Sequence, residues 1–227
     1  MKVVLFGASG MIGQGVLREC LLDPGVEAVL AIVRSETATR HPKYREIVRT
    51  ELWDYTDVEG ELAGFDACFF CLGVASARMP EAEYERVTYG ITLAAGGVLA
   101  RLNPGMTFIY VSGLGADSSE QGRVMWARVR GRTENALMRL PFAGAYVFRL
   151  GLVQPLHGAR SRTKLFRVFY QVLGPVLPVV RNAFPKLVLT TEEIGRAMLI
   201  VARRGWPKRV VESRDIREVV EERLGSR

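Results

Sequence analysis

Glycines at positions 7, 10 and 13 follow the apolar run Val3-Val4-Leu5-Phe6 and open a stretch of helical character. A strand that ends in Gly7-Ala8-Ser9-Gly10-Met11-Ile12-Gly13 and runs straight into a helix leaves few folds open. Gly7 lets the chain turn sharply, Gly10 lets backbone approach a ligand closely, and Gly13 lets the helix pack against the strand. The helix start then presents free N–H groups and the positive end of its dipole to whatever lies above the turn, which suits a phosphate.

The rest of the chain alternates apolar runs with helical patterns. The spacing predicts strands at Val3–Phe6, Glu27–Val33, Ile47–Leu52, Ala67–Leu72, Met106–Val111 and Ala145–Leu150. Between them it predicts helices over Met11–Leu22, Glu81–Leu102 and Gly122–Leu140. Nearly continuous apolar strands belong to a sheet covered on both faces. Strand–helix alternation with right-handed crossovers gives an α/β fold, a doubly wound parallel sheet of Rossmann type. The 227 residues fit one such domain, 1–227, in which 151–227 forms a small C-terminal lobe with helices at Arg160–Leu173, Thr191–Arg203 and Arg214–Leu224.

Composition excludes several classes. The apolar fraction of 48% and charged fraction of 24% are those of a globular protein. The first apolar run is too short for a secretory signal core and no stretch spans a bilayer comfortably, so a cytoplasmic location is expected. Cys68-Phe69-Phe70-Cys71 has C-x-x-C spacing, but it lies within a strand, where residues three apart face opposite ways, and a redox pair needs a helix N-terminus. His41 and His157 lack metal-ligand spacing. No G-x-S-x-G elbow or Walker-type Gly-Lys-Ser/Thr is present.

The end of the second strand selects the dinucleotide. A carboxylate there would bind the 2′-hydroxyl of NAD, whereas this chain reads Ile32-Val33-Arg34-Ser35. Arg34 suits a 2′-phosphate, which points to NADP rather than NAD; Glu36, two residues on, keeps NAD open.

Phe6-Gly7-Ala8-Ser9-Gly10-Met11-Ile12-Gly13 resembles the opening of the extended and atypical short-chain dehydrogenase/reductases, the NAD(P)-dependent epimerase/dehydratase-like proteins. Asp54, in Leu52-Trp53-Asp54-Tyr55, resembles the family's adenine-binding Asp. Cys71-Leu72-Gly73-Val74-Ala75 resembles the segment lining the adenine ribose, which implies Leu72 and Gly73 as cofactor contacts. Tyr110-Val111-Ser112-Gly113-Leu114-Gly115 resembles the strand bearing the catalytic Ser, and Arg149-Leu150-Gly151-Leu152-Val153-Gln154-Pro155 the segment passing the nicotinamide, which implies Val153 as a contact. The resemblance covers at least residues 1–155, extends to Thr190–Arg203, and is nearest to the small branch that includes the Tat-interacting oxidoreductase-like proteins.

The family's Tyr-x-x-x-Lys is replaced by Trp126-Ala127-Arg128-Val129-Arg130. Indole N–H only donates and does not titrate usefully, so Trp126 is no general acid. Arg130 keeps its charge and can hold ribose hydroxyls or a phosphate oxygen, and Ser112 can bind a carbonyl. Ser112 and Arg130 are therefore the candidate catalytic residues. Three readings stay open: a reductase or dehydrogenase with a substitute proton donor, for which Tyr84 and Tyr89 are candidates; hydride transfer with water as the proton source; and NADP(H) binding without turnover, reporting redox state to a partner. The substrate is an unassigned small molecule, and a homo-oligomer is compatible with the chain.

The net charge of +7 falls entirely after residue 155. Arg160, Arg162, Lys164 and Arg167 interleave with Leu165, Phe166, Val168 and Phe169 at helical spacing, as in a basic amphipathic helix. Such a lobe suits an anionic substrate, a membrane surface or a protein contact, with nucleic acid the weakest of the partners; a helix packed on the sheet with its charges in water stands ahead of these.

Overall fold

The computed structural model describes residues 1–160 and 188–225. The expected helix Arg160–Leu173 lies, beyond its first residue, outside the described residues. Strands β1 (Lys2–Phe6), β2 (Ala28–Val33), β3 (Tyr44–Val48), β4 (Ala67–Phe70), β5 (Thr107–Gly113) and β6 (Gly144–Leu150) form one parallel sheet, joined at its edge by β9 (Val210–Glu212). The order is β3-β2-β1-β4-β5-β6-β9, the Rossmann order with a seventh strand added. A separate parallel pair joins β7 (Leu152–Gln154) to β8 (Val188–Thr190). The helices are α1 (Met11–Leu22), α2 (Glu59–Leu62), α3 (Glu81–Glu85), α4 (Ile91–Leu102), α5 (Met125–Met138), α6 (Thr191–Arg204) and α7 (Ser213–Gly225). One π-helical turn, Arg86–Gly90, links α3 to α4, so the expected helix Glu81–Leu102 is continuous but not uniform.

Alternate residues of each strand serve two separate cores. Val3 and Leu5 pack with Phe69, Ile109 and Phe148 against α1 and α6. Val4 and Phe6 pack with Phe70, Phe108 and Tyr110 against α4. On that second face Phe6, Phe70 and Phe108 stack in series, with centroids 4.9 and 5.9 Å apart. Cys68 and Cys71 belong to opposite faces. Burial pushes both thiols up, against the requirement of a redox pair.

One correction has a simple cause. The third strand covers Tyr44–Val48, not Ile47–Leu52. It is an edge strand with weak burial, and the apolar Leu52 that drew the expectation is buried from the following loop. The C-terminal part also reaches the sheet: α6 packs on α1, with Gly15 directly beneath Thr191 and Gly195 beneath Glu19. Thr190 and Glu193 close a capping box at the start of α6. Much of the described C-terminal positive charge is paired, as in Arg196 with Glu19 and Glu192, Arg203 with Asp23, and Lys208 with Asp215.

Candidate functional site

The parallel strands end along one edge, and the loops leaving them form a cleft of about 560 Å³. Its lining includes Gly7, Ser9, Gly10, Met11 and Ile12 from the first turn, Arg34 after β2, Leu72 and Gly73 after β4, Ser112 on β5, and Trp126 and Arg130 on α5. Arg34 and Ser112 leave strands three positions apart in the sheet, a span of about 14 Å. Among the described lining residues, Arg34 and Arg130 are the charged ones, and no described acid shares that lining with them.

The first turn is built for close approach. Gly7 has φ +78°, and a Cβ on it would lie 2.7 Å from the Cys71 carbonyl. A Cβ on Gly13 would lie 2.0 Å from the Gly7 carbonyl oxygen. Gly13 thus works beneath the turn and not in the cleft, and Ala8 is buried in the core. Among the described residues no side chain caps α1, and no acid occupies its first turn, which suits its N-terminal N–H groups to an anion. Gln14 braces the turn, donating to the Ser9 carbonyl at 2.9 Å and to the Arg160 carbonyl at 3.0 Å.

At the α5 end, two arginines have fixed partners. Arg130 Nε donates to Tyr84 Oη at 3.0 Å, and its Nη1 lies 3.5 Å from the Val111 carbonyl. Burial disfavours that guanidinium's charge, but the oxygens of Tyr110 and Tyr84 outweigh it and hold its pKa above the usual value. Burial pushes the neighbouring Tyr110 phenol up to about 12. Ser112, 3% exposed, donates to Glu134, which is fully buried. Arg149 Nε lies 3.3 and 3.1 Å from the two Glu134 oxygens, and its Nη2 also bonds to Oε2. The Trp126 ring lies against Gly113 and Gly115.

Sequence reasoning missed Glu134 and Arg149; nothing in a linear pattern pairs them with each other and with Ser112. Of the two candidate tyrosines, Tyr84 on α3 lines the cleft. Tyr89 instead stacks beneath Arg132, 4.7 Å from ring centre to guanidinium. Two implied contacts fall elsewhere. Asp54 is exposed and accepts from the Thr56 N–H at 2.9 Å, while Leu52 lines the cleft. Val153 is buried in the core beside Leu189. Glu36 lines a neighbouring cavity of about 900 Å³ flanking α1. Among the described residues no cluster suits a metal, and no helix is long and apolar enough to cross a membrane.

No family model matches the chain. Among curated proteins, the mitochondrial protein FMP52 of Candida albicans is 19% identical over 155 residues, 66% of each chain. Solved structures share the fold. WbmF of Bordetella bronchiseptica, an enzyme crystallised with NAD+, superposes with TM-score 0.69 at 16% identity, over 99% of this chain and 78% of that one. A short-chain dehydrogenase/reductase of Saccharomyces cerevisiae gives 0.67 at 12% identity, covering 97% and 98%. UDP-glucose 4-epimerase of Thermotoga maritima, solved with UDP-glucose, gives 0.63 at 16%, covering 99% and 83%. The fold is therefore that of NAD-dependent epimerases and short-chain dehydrogenase/reductases.

Proposed function

We propose that the chain is an NADP(H)-dependent oxidoreductase acting on a small carbonyl or hydroxyl compound. One observation carries this reading: a single cleft joins a phosphate cradle at the uncapped start of α1 to Ser112, Tyr84 and Arg130. Gly7, Ser9, Gly10, Met11 and Ile12 would hold the pyrophosphate. Arg34 would take the 2′-phosphate; no carboxylate among the described residues pairs with it, and Glu36 lines the neighbouring cavity. When bound, the nicotinamide supplies or accepts a hydride. The chain's part is the proton: the Tyr84 phenol oxygen accepts from Arg130, which leaves its own O–H to be exchanged with a substrate oxygen. A screen of aldehydes, ketones and alcohols with NADPH or NADP+ tests this, and turnover that ignores both Ser112→Ala and Tyr84→Phe defeats it.

A second reading, NADP(H) binding without turnover as a redox sensor acting through a protein partner, has its own support. Trp126 stands where the family's proton donor would be, and Ser112 and Arg130 are already engaged by residues of the chain. Absence of turnover across the screen, with tight NADPH binding, would select it.

A further inference from the structure

The Ser112 hydroxyl has one proton, and the residues around it decide where that proton points. Glu134 is fully buried between Ser112 and Arg149. Arg149 donates to both carboxylate oxygens, and a carboxylate paired with a guanidinium takes its hydrogen bonds as an acceptor. Ser112 must therefore be the donor in its bond to Glu134, and what it turns to the cleft is lone pairs alone.

We infer that the cleft selects a compound with an apolar body bearing a hydroxyl group, which donates its hydrogen bond to Ser112, and that Glu134 is the positioning residue that fixes this choice. A ketone oxygen at the same place would set lone pairs against lone pairs. The inference rests on the reading of the cleft as an oxidoreductase site and concerns binding of the hydroxyl compound, which is the product when a carbonyl is reduced with the proton given by Tyr84. The surroundings suit an apolar body. Val74 and Trp126 line the cleft, and the Trp126 ring lies against Gly113 and Gly115. The exposed Leu114 follows Gly113 in the chain and the exposed Val124 lies two residues before Trp126, at 52% exposure each.

The test uses the full chain without nucleotide and a matched pair of probes, cyclohexanol and cyclohexanone, with dissociation constants from ligand-observed NMR. Cyclohexanol is expected to bind about tenfold tighter, the worth of one neutral hydrogen bond and the repulsion avoided. Ser112→Ala should bring the two probes level, and Ser112→Thr should keep the preference. Glu134→Gln should abolish it: Arg149 claims the amide oxygen, the amide N–H turns to Ser112, and the hydroxyl proton is released to the cleft. Cyclohexanone binding as tightly as cyclohexanol, a preference that survives Ser112→Ala, or no binding of either probe at millimolar concentration would overturn the inference. NADPH binding is measured separately. An alcohol preference without it would defeat the nucleotide reading alone, and nucleotide binding without the preference would defeat this inference alone.

Discussion

The carboxylate of Glu134 is fully buried and faces Arg149 through both of its oxygens. A buried pair of this kind contributes little against an apolar replacement, but removing one partner strands the other charge in the interior. Glu134→Ala is expected to cost about 3–5 kcal/mol in urea unfolding. The double change Glu134→Leu with Arg149→Met should recover most of the loss. A cost near zero for the single change would show that Arg149 swings out to water.

The glycine turn makes a steric prediction. With the Gly7 carbonyl oxygen 2.0 Å from where a Gly13 Cβ would stand, Gly13→Ala must push α1 away from β1. Melting temperature should fall, and the rise in melting temperature on adding NADPH should disappear. Gly97, whose Cβ would meet nothing within 4 Å, supplies the control: Gly97→Ala should leave both unchanged or slightly raise stability, since alanine favours the helix.

Tyr84 and Tyr89 separate proton transfer from packing. Tyr84 accepts from Arg130 inside the cleft, while Tyr89 stacks on Arg132. Tyr84→Phe should lower turnover by about 10²–10⁴-fold, the usual worth of a general acid or base. Tyr89→Phe should leave the rate unchanged. Equal rates for the two variants would assign the proton to water.

Asp215 ties the edge strand to the start of α7. Burial works against its carboxylate, but the bonds from Lys208 at 2.6 Å and the Glu212 N–H at 3.0 Å outweigh that and hold its pKa below the ordinary 3.8. A depressed carboxylate contributes stability that is present above its unfolded pKa and lost as pH falls through the folded one. Unfolding free energy should therefore drop as pH falls below about 4, and Asp215→Asn should flatten that part of the profile. An unchanged slope in Asp215→Asn would assign it to other carboxylates.

The parts of this molecule legible in the sequence are those that the backbone dictates locally. The turn from Gly7 to Gly13 could be read because each glycine answers a demand of neighbouring chain, and Arg34 because its place at the end of β2 is fixed by that strand's length. Ser112 was legible in position but not in chemistry. Its proton is committed by Glu134, 22 residues away, which is set in turn by Arg149, a further 15 away. Tyr84 reaches Arg130 across 46 residues. Such relations arise only once α3, α5 and β6 are packed. The strands β7, β8 and β9 escaped notice for another reason: at three residues each, they are too short for alternation to register.

The central claim is that one cleft binds NADP(H) through the first turn and Arg34. Titration of NADPH and NADH against the full chain, wild type and Arg34→Asp, tests it most directly. The wild type should bind NADPH about 10- to 100-fold tighter than NADH, the range of a charge-assisted contact, and Arg34→Asp should reverse that order. Equal affinity for the two nucleotides, binding of neither, or a preference untouched by Arg34→Asp would contradict the account.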